Sequence, residues 1–339
     1  MIERWIDNEL ILKRWRKFKK LRRAFISMWV LAALLFLSFS AEIWSNSKPI
    51  LLMYRGEVYF PAYRTYHPSL FGQEGMFVTD YRQLNLSPDD WAIWPLVRWD
   101  PVESNNKLIS FPGPPSVENW LGTDDRGRDV LSRLLYGFRY SIGFAVLVWF
   151  LSYLIGIVLG SVTGYLGGRW DLFSQRVVEV FESMPIFILL ITLVSIFGAS
   201  MWVLVIFTSV FSWMMISLYI RAEFLKLRKR EFIEAGRSLG ISHWRLMFKH
   251  ILPNALGPVL CFSPFSIAGH IYSLAALDFL GFGLPPPTPS WGELLQQANK
   301  EFAVAWWLAV FPSVAMVVTL VSLSLIGEGL RDSFDPRKA

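Results

Sequence analysis

Residues 231–254 read EFIEAGRSLGISHWRLMFKHILPN and predict a helix, a sharp turn and a second helix. Gly240 can adopt the left-handed backbone conformation that ends a helix. Ser242 can cap the helix that follows, and Pro253 can open a new apolar helix, where its missing N–H is tolerated. The segment is basic and lies between two long apolar stretches. It therefore predicts a stiff helical elbow at one face of a membrane.

Long runs without charged residues decide the class of this 339-residue chain. A membrane span needs about 20 apolar residues. The longest run, 183–220, would be about 57 Å long as one helix and is therefore divided at Gly198-Ala199-Ser200. The predicted fold is an all-α membrane protein with six spans, at about 24–44, 140–167, 172–198, 201–221, 252–278 and 303–327.

Lysine and arginine are distributed unevenly, and the positive-inside rule converts this into an orientation. Residues 1–23 hold nine of them and residues 221–250 hold eight, whereas the longer stretch 45–139 holds ten that eleven acids balance. With six spans, both termini are predicted to lie in the cytoplasm. The net charge of +6 therefore reflects topology, and no nucleic-acid partner is expected because no binding fold accompanies it.

The spans divide the chain into segments. We predict a basic cytoplasmic arm at 1–23, a first span at 24–44 and a periplasmic insert at 45–139. A membrane-spanning core follows at 140–327, with a cytoplasmic loop at 222–251 and a cytoplasmic tail at 328–339. The insert is rich in aromatic residues, and the run from Leu51 to Tyr63 predicts a short hairpin with Gly56 in its turn.

Motifs of catalysis and metal binding are missing from the sequence. It has no Gly-x-x-x-x-Gly-Lys-Ser/Thr phosphate loop, no His-Glu-x-x-His, no paired-cysteine zinc spacing and no Gly-x-Ser-x-Gly elbow. The four histidines are dispersed. We therefore expect no enzyme activity, no metal and no cofactor in this chain, and a pump of this kind would take its energy from another subunit.

The spacing of the elbow resembles the EAA loop of ABC importer permeases, which reads Glu-Ala-Ala, three residues, Gly, nine residues and Ile-x-Leu-Pro. Gly236 replaces the second Ala, and His250 stands where Ile is usual. The run His250 to Asn254 resembles instead the dipeptide/oligopeptide branch. The resemblance implies a type I importer permease whose elbow docks in a groove of a separate ATPase subunit. The implied coupling residues are Glu234, Ala235, Gly236, Gly240, Leu252 and Pro253.

Two blocks on the predicted outer side also resemble the oligopeptide branch. Residues 119–124 and 127–137 read NWLGTD and GRDVLSRLLYG, and the spacing of their leucines predicts an amphipathic helix on the outer membrane surface that Thr123 or Asp124 can cap. Residues 278–292 read DFLGFGLPPPTPSWG, and their prolines predict a rigid extended loop. A structural role and a contact at the outer mouth or with a binding protein both stay open for Thr123, Asp124, Arg128, Asp129, Gly281, Gly283 and Trp291.

Glu179 and Glu182 lie three residues apart on one face of the third predicted span, and Pro185 follows them. Ionisable residues inside a membrane usually face a cavity or a partner. The two glutamates are therefore candidates for the translocation path, and an interface contact, with Arg176 near Glu179, is the alternative.

The run Tyr54 to Pro61, within the aromatic insert, and the closing run Arg331 to Arg337 resemble the microcin C type of peptide permease. Together with the blocks above, the resemblance covers nearly the whole chain. It implies a bacterial inner-membrane protein that imports peptides or peptide-like compounds by alternating access. The implied partners are a second homologous permease, ABC ATPase subunits that bind ATP and Mg²⁺, and a periplasmic substrate-binding protein.

Other functions stay open on the residues alone. A channel or secondary transporter that uses no ATP is one alternative, although we find none of the internal repeats that secondary transporters often show. A permease for nickel, sugars or another small solute is a second alternative, and a membrane scaffold is a third. Co-purification of a stoichiometric ATPase would separate an ABC permease from a channel, a secondary transporter or a scaffold.

Overall fold

The computed structural model describes residues 9–73, 77–84 and 86–334, except for the side chains of Leu10 and Pro258. The first eight residues of the basic arm and the last five residues of the tail lie outside the described residues. The chain forms two compact units. One comprises Met1–Leu31, Ser141–Pro285 and Val317–Ala339, and the other comprises Ala32–Tyr140 and Pro286–Met316. We call them the core unit and the insert unit.

Most of the described chain is helical. The helices are α1 (Glu9–Lys20), α2 (Arg22–Phe39), α3 (Ala41–Trp44), α4 (Val130–Leu166), α5 (Gly168–Glu182), α6 (Ile186–Phe197), α7 (Met201–Ser212), α8 (Met214–Leu227), α9 (Glu231–Ser238), α10 (His243–Arg245), α11 (Leu252–Phe279), α12 (Trp291–Lys300) and α13 (Trp306–Phe334).

Five helical stretches are long and apolar enough to cross a membrane, and one bent pair brings the total to six if it counts as a span. The five stretches are Arg22–Phe39, Val130–Leu166, Met201–Leu227, Val259–Phe279 and Trp306–Phe334, and the pair is Gly168–Glu182 with Ile186–Phe197. The count therefore agrees with the predicted six if the bent pair is one span.

The third predicted span, 172–198, is not one straight helix. Helices α5 and α6 meet at an angle of 72°. Pro185 stands between them, and a proline has no N–H for the helix ladder and disfavours helical geometry at the residue before it. The predicted division at 198–200 does occur. Gly198 has φ +82°, and the Ser200 hydroxyl accepts a hydrogen bond from the Val203 N–H to cap α7.

A stripe of small residues joins α4 to α8 in the core unit. Gly156, Gly160 and Gly164 recur every four residues along one face of α4. A Cβ atom at Gly156 would lie 2.7 Å from the Trp213 carbonyl oxygen, and one at Gly164 would lie 2.7 Å from the Arg221 carbonyl oxygen. Only glycine lets two helix backbones approach this closely. The sequence shows this repeat as Gly-x-x-x-Gly-x-x-x-Gly, but the packing of α4 on α8 was not predicted from it.

The insert unit contains a small antiparallel sheet that an all-α fold class does not include. Strands β1 (Leu51–Tyr54) and β2 (Glu57–Tyr59) form the predicted hairpin, with Arg55 and Gly56 in its turn. A third strand, β3 (Trp91–Ile93), pairs with the other edge of β1. It was not predicted, because three residues carry too little alternation to distinguish a strand.

Aromatic side chains form the core beneath this sheet. Phe71 is buried and makes edge-to-face contacts with Tyr54, Tyr59, Tyr66 and Tyr81, at centroid separations from 5.2 to 6.3 Å. Such pairs stabilise a fold beyond the apolar area that they bury. Much of the aromatic content of the insert is therefore accounted for by packing.

The predicted interfacial helix does not exist as a separate element. Helix α4 begins at Val130 and continues without a break to Leu166. Asp129, rather than Thr123 or Asp124, caps it, because the Asp129 Oδ1 atom accepts a hydrogen bond of 2.8 Å from the Ser132 N–H. The leucine spacing was consistent with a helix, but it could not show that this helix joins the span that follows.

Candidate functional site

The elbow turns at Gly240 in the way that its sequence predicts. Gly240 has φ +74° and donates a hydrogen bond of 2.9 Å to the Arg237 carbonyl oxygen. The next N–H, of Ile241, donates one of 3.1 Å to the Gly236 carbonyl oxygen. This pair of bonds is the Schellman arrangement, which satisfies the last carbonyls of α9. A Cβ atom at Gly240 would have no atom within 4 Å, so the backbone conformation alone requires glycine here.

The second half of the elbow is more continuous than predicted. Ser242 stands at the N-cap of α10, but its side chain makes no capping hydrogen bond. A π-helical turn, Leu246–Ile251, joins α10 to α11. Pro253 therefore lies in the first turn of α11, as predicted, but that helix continues a helical segment instead of starting after a loop.

One face of the elbow is built into the core unit. Ile233, Leu246 and Ile251 are almost completely buried, in one cluster with Ile220 and Phe224 of α8. Gly236 is buried, and a Cβ atom there would lie 2.9 Å from Leu246 Cδ2. A small residue at this position lets the two halves of the elbow close on each other, so the elbow is a compact body seated on α8.

Polar contacts tie the elbow to the end of α4. The Tyr165 hydroxyl and His243 Nδ1 are 2.7 Å apart, and the Arg237 guanidinium lies 5.3 Å from the centre of the Tyr165 ring. Arg228 donates hydrogen bonds to the carbonyl oxygens of Gly164 and Tyr165, at 3.2 and 3.0 Å. Because cations at a helix C-terminus interact favourably with its dipole, these contacts stabilise the end of α4 as well as the elbow.

The opposite face of the elbow is exposed and partly apolar. Leu239 and Trp244 keep 81% and 66% of their surface, and Phe232 and Phe248 are also exposed. The rings of Trp244 and Phe248 are stacked with centroids 5.6 Å apart. An exposed apolar patch marks a site of interaction with another protein or with the membrane. We call these four residues the elbow patch.

The predicted coupling residues divide between the two faces. Glu234, Ala235, Gly240 and Pro253 are exposed, Leu252 is half-buried and Gly236 is buried. The four exposed residues of this set lie in the same segment of the chain as the elbow patch. Gly236 acts on the shape of the elbow through its contact with Leu246. The four patch residues were not predicted as functional, although the sequence shows aromatic residues in a basic loop.

A cavity in the core unit separates the two glutamates that the sequence grouped together. Glu182 lines a cavity of about 490 Å³, with Tyr153, Ser266 and His270 among its other polar residues. Glu179 does not line it, and Arg176 donates a hydrogen bond of 2.5 Å to the Glu179 carboxylate. Two missed residues, Tyr153 and His270, therefore accompany Glu182. An ionisable histidine inside a predicted span was the signal for one of them.

Four candidate residues of the first outer block are buried in the insert unit. As whole residues, Thr123, Asp124, Arg128 and Asp129 keep 2% or less of their surface. Thr123 Oγ1 accepts a hydrogen bond from the Gly113 N–H at 2.8 Å. Burial raises the pKa of the Asp129 carboxyl. These side chains shape the block from within, and none of them presents a surface for a direct contact.

Two of these residues belong to a buried ionic network. Arg128 donates to Asp124 Oδ2 at 2.7 Å and to Glu293 Oε1 at 3.0 Å, and Arg133, which is completely buried, donates to the other Glu293 oxygen. Burial acts to lower the pKa of the Arg128 guanidinium, but the carboxylates of Asp124 and Glu293 together outweigh burial, and the pKa is raised. The sequence analysis did not identify Arg133 or Glu293, which are 160 residues apart.

The second outer block ends one helix and begins another. Gly281 has φ +83° and terminates α11, while a Cβ atom at Gly283 would collide with Asp278. The loop predicted as far as residue 292 stops earlier, because α12 starts at Trp291. The Ser290 hydroxyl accepts hydrogen bonds from the N–H groups of Gly292 and Glu293. Ser-x-x-Glu is the capping-box spacing, a signal that the sequence analysis overlooked.

Trp291, the last of the candidate outer residues, is buried in the insert unit. Its ring stacks on Phe138 with centroids 5.5 Å apart. Its indole N–H donates a hydrogen bond of 3.0 Å to the Leu134 carbonyl oxygen. Like the first block, this position is accounted for by packing.

The elbow, with its glycine turn and its apolar outer patch, lies within the part of the chain that a known family model covers. Residues 156–339 match the family described as “Binding-protein-dependent transport system inner membrane component”. The chain belongs to this family. It is therefore an inner-membrane component of a transport system and not an enzyme, and the predicted permease fold class is confirmed apart from the small sheet.

Similar proteins extend the match to nearly the whole chain. The chain is 40% identical over 334 residues to the inner membrane ABC transporter permease protein YejE of Escherichia coli, which covers 96% of this chain and 97% of that protein. It is 38% identical to the peptidoglycan transport system permease protein YejE of Agrobacterium fabrum, over 96% of this chain and 93% of the relative.

A more distant relative matches a smaller part of the chain. The oligopeptide transport system permease protein OppC of Bacillus subtilis is 32% identical over 234 residues, which are 69% of this chain and 77% of that protein. The resemblance to oligopeptide permeases that the elbow and the outer blocks indicated is thereby confirmed.

Proposed function

We propose that this chain is one permease subunit of an ATP-driven importer that moves peptides or peptide-like compounds, of the microcin C type, from the periplasm to the cytoplasm. The structure of the elbow is the observation that supports this proposal. It combines a buried face fixed to α4 and α8 with an exposed patch of Phe232, Leu239, Trp244 and Phe248. A rigid body of this kind can pass a movement of a docked ATPase directly to the membrane helices.

The coupling residues act in two ways in this proposal. Glu234 and Ala235 lie on the exposed side and contact the ATPase groove, whereas Gly236 and Gly240 hold the elbow in the docking shape. Leu252 and Pro253 connect that shape to the first turn of α11. ATP binding draws two ATPase domains together, each elbow moves with its domain, and the membrane helices open outward. Hydrolysis returns the transporter to the inward-facing state.

The cavity beside α5 is the proposed part of the translocation path. Glu182 is the last residue of α5, where the negative end of the helix dipole makes a carboxylate unfavourable unless a cation approaches. A peptide carries such a cation at its amino terminus. Glu179, which is paired with Arg176, is the weaker candidate for the path.

The proposed assembly contains a second homologous permease, ABC ATPase subunits with ATP and Mg²⁺, and a periplasmic substrate-binding protein. In the two outer blocks, the buried candidates hold the shape of the outer mouth. Direct contact with the binding protein then falls to exposed neighbours such as Trp120.

Reconstitution tests the proposal against its alternatives. The chain, co-expressed with its partner subunits in proteoliposomes, should take up a peptide only with ATP and a loaded binding protein. Uptake without ATP would support a channel or secondary transporter instead. Uptake of nickel but not of peptide would support an ABC permease of different specificity.

The proposed topology predicts the accessibility of single introduced thiols. In a Cys261→Ala background, Leu70→Cys should react with a membrane-impermeant maleimide added to spheroplasts, because residue 70 belongs to the periplasmic insert. Ser238→Cys, on the elbow, should react only after the membrane is permeabilised. The reverse pattern would invert the assignment of both termini to the cytoplasm.

Glu234→Lys should weaken assembly with the ATPase, because it reverses a charge on the proposed docking surface. Glu231→Lys is the matched control, since it makes the same change in the first turn of the same helix. Pull-down of the ATPase at low and moderate salt is the measurement. Equal recovery of the ATPase with the wild type and the Glu234 variant at both salts would remove Glu234 from the interface.

A further inference from the structure

A second cavity of the core unit, of about 640 Å³, has no role in the transport mechanism proposed above. Four helices line it. Arg14 comes from α1, Tyr219 from α8, and Arg331 and Phe334 from α13, while α11 contributes Asn254, Gly257, Cys261, Phe262 and Phe265. Two of the described lining residues carry a full charge, and both are arginines, Arg14 and Arg331. No carboxylate is among the lining residues that the structure describes.

Among the residues that the structure describes, neither guanidinium group has a carboxylate partner. The Arg14 Cζ atom lies 4.2 Å from the centre of the Phe334 ring. Among the described residues, this is the one cation–π contact of Arg14. Within residues 9–73, 77–84 and 86–334, neither Arg14 nor Arg331 takes part in a hydrogen bond or an ion pair. Each guanidinium carries five N–H donors in a planar fork that matches a phosphate.

The position of Arg14 is fixed by packing. Phe18, one helical turn further along α1, is buried at 4% exposure. It packs against Gly329 of α13, where a Cβ atom would lie 2.9 Å from Phe18 Cε2. Arg14 lies on the same face of α1 as Phe18, because residues four apart are neighbours on a helix. The docked helix thus holds the Arg14 guanidinium at the cavity.

The cavity changes from polar to apolar along α11. Asn254 lies at its arginine end, and Gly257, Cys261 and Phe265 follow on the same helix face. The twelve residues from Asn254 to Phe265 span eleven helical rises, or about 16 Å of helix. One leaflet of the bilayer core, half of about 30 Å, has nearly the same depth. A groove with cations at the headgroup level and an apolar wall one leaflet deep fits a phospholipid.

We propose that this groove binds one anionic phospholipid, whose phosphate lies between Arg14 and Arg331 and whose acyl chain lies along Gly257, Cys261 and Phe265. Basic pockets between membrane helices bind anionic headgroups through the same forces. Charge complementarity and depth together select a lipid over a free anion, which would leave the apolar wall empty. The groove shares Phe262 and Phe265 with the cavity that Glu182 lines, but none of the polar residues of that cavity belongs to the groove.

Lipid retention tests the proposal. The full-length chain is reconstituted into vesicles of equal parts phosphatidylglycerol and phosphatidylcholine and extracted again in mild detergent, and the lipids that stay bound are measured by mass spectrometry. The wild type should retain phosphatidylglycerol over phosphatidylcholine at least about fivefold, the effect of one arginine near a lipid surface. Arg14→Gln/Arg331→Gln should lose this preference.

Two further variants separate the groove from general surface charge. Arg22→Gln/Arg23→Gln removes two exposed arginines outside the lining and should retain the preference. Gly257→Leu keeps both arginines but places a larger side chain in the apolar part of the groove. A Cβ atom at Gly257 would lie 3.7 Å from Phe334 Cδ1, so the rest of the leucine side chain would take space proposed for the acyl chain. This variant should retain less phosphatidylglycerol. Size-exclusion chromatography confirms that each variant is folded before the comparison.

Three results would overturn the proposal. The first is an equal loss of preference in both arginine double variants, which would indicate surface potential alone. The second is displacement of the lipid by millimolar inorganic phosphate, which would indicate a site for free phosphate. The third is an unchanged preference in Arg14→Gln/Arg331→Gln.

Discussion

Gly240→Val is expected to abolish most ATP-driven peptide uptake while the protein still inserts into the membrane. Gly240 has φ +74°, and a β-branched residue in this region costs about 1–2 kcal/mol. That energy changes the population of the closed turn by a factor of about 5–30. The two hydrogen bonds that end α9 depend on this turn, so the elbow patch would point away from the ATPase.

Gly240→Asn is the matched control, because asparagine tolerates the left-handed conformation. Both side chains would enter open space, since no atom lies within 4 Å of the Cβ position. Uptake in proteoliposomes, normalised to the amount of permease in the membrane, is the measurement. Asn should stay near the wild-type level. Equal uptake by the Val and Asn variants would show that the turn conformation does not limit coupling.

Glu293→Ala is expected to destabilise the insert unit by about 3–5 kcal/mol, because it breaks a buried ion pair and leaves a cation without its partner. Arg133 has a completely buried side chain and donates to Glu293, and Arg128, which is 3% exposed, donates to it at 3.0 Å. Among the residues that the structure describes, Asp124 would then be the one buried carboxylate within 4.0 Å of the two buried guanidinium groups.

Glu118→Ala is the control for this second prediction. Glu118 pairs with Lys107 at 3.7 Å in the same unit, but both side chains are more than half exposed. Exposed pairs contribute about 0–1 kcal/mol. Unfolding of the purified chain in a denaturing-detergent titration, followed by tryptophan fluorescence, compares the two variants. If both variants had the same midpoint, the network of Arg128, Arg133 and Glu293 would not be a stabilising element of the insert.

The turn of the elbow was the part of the candidate site that sequence reasoning predicted best. This turn rests on one residue, Gly240, whose positive φ is a local property that a glycine at that spacing indicates. The same holds for Gly56 in the hairpin and for Gly198 between α6 and α7. Pro185 was also visible in the sequence, but its effect, a 72° bend, depends on how α5 and α6 pack.

The outer blocks show where local patterns are insufficient. Thr123, Asp124, Arg128 and Asp129 look like surface residues in the sequence, because charged and polar groups are rarely buried without partners. Some of their partners are local, such as Asp124 for Arg128, but Glu293 lies 165 residues from Arg128 along the chain. No periodicity in a single sequence shows that such residues meet.

The sequence by itself determined the membrane class, the presence of several long apolar stretches and the spacing of the elbow, because hydrophobicity and glycine conformation are properties of neighbouring residues. Only the tertiary structure decided which face of the elbow is exposed, that Glu182 and not Glu179 lines a cavity, and that Arg14 and Arg331 share another. Those features arise where helices distant in sequence pack side by side, and the free energy of that packing is a property of the pairs of surfaces that meet.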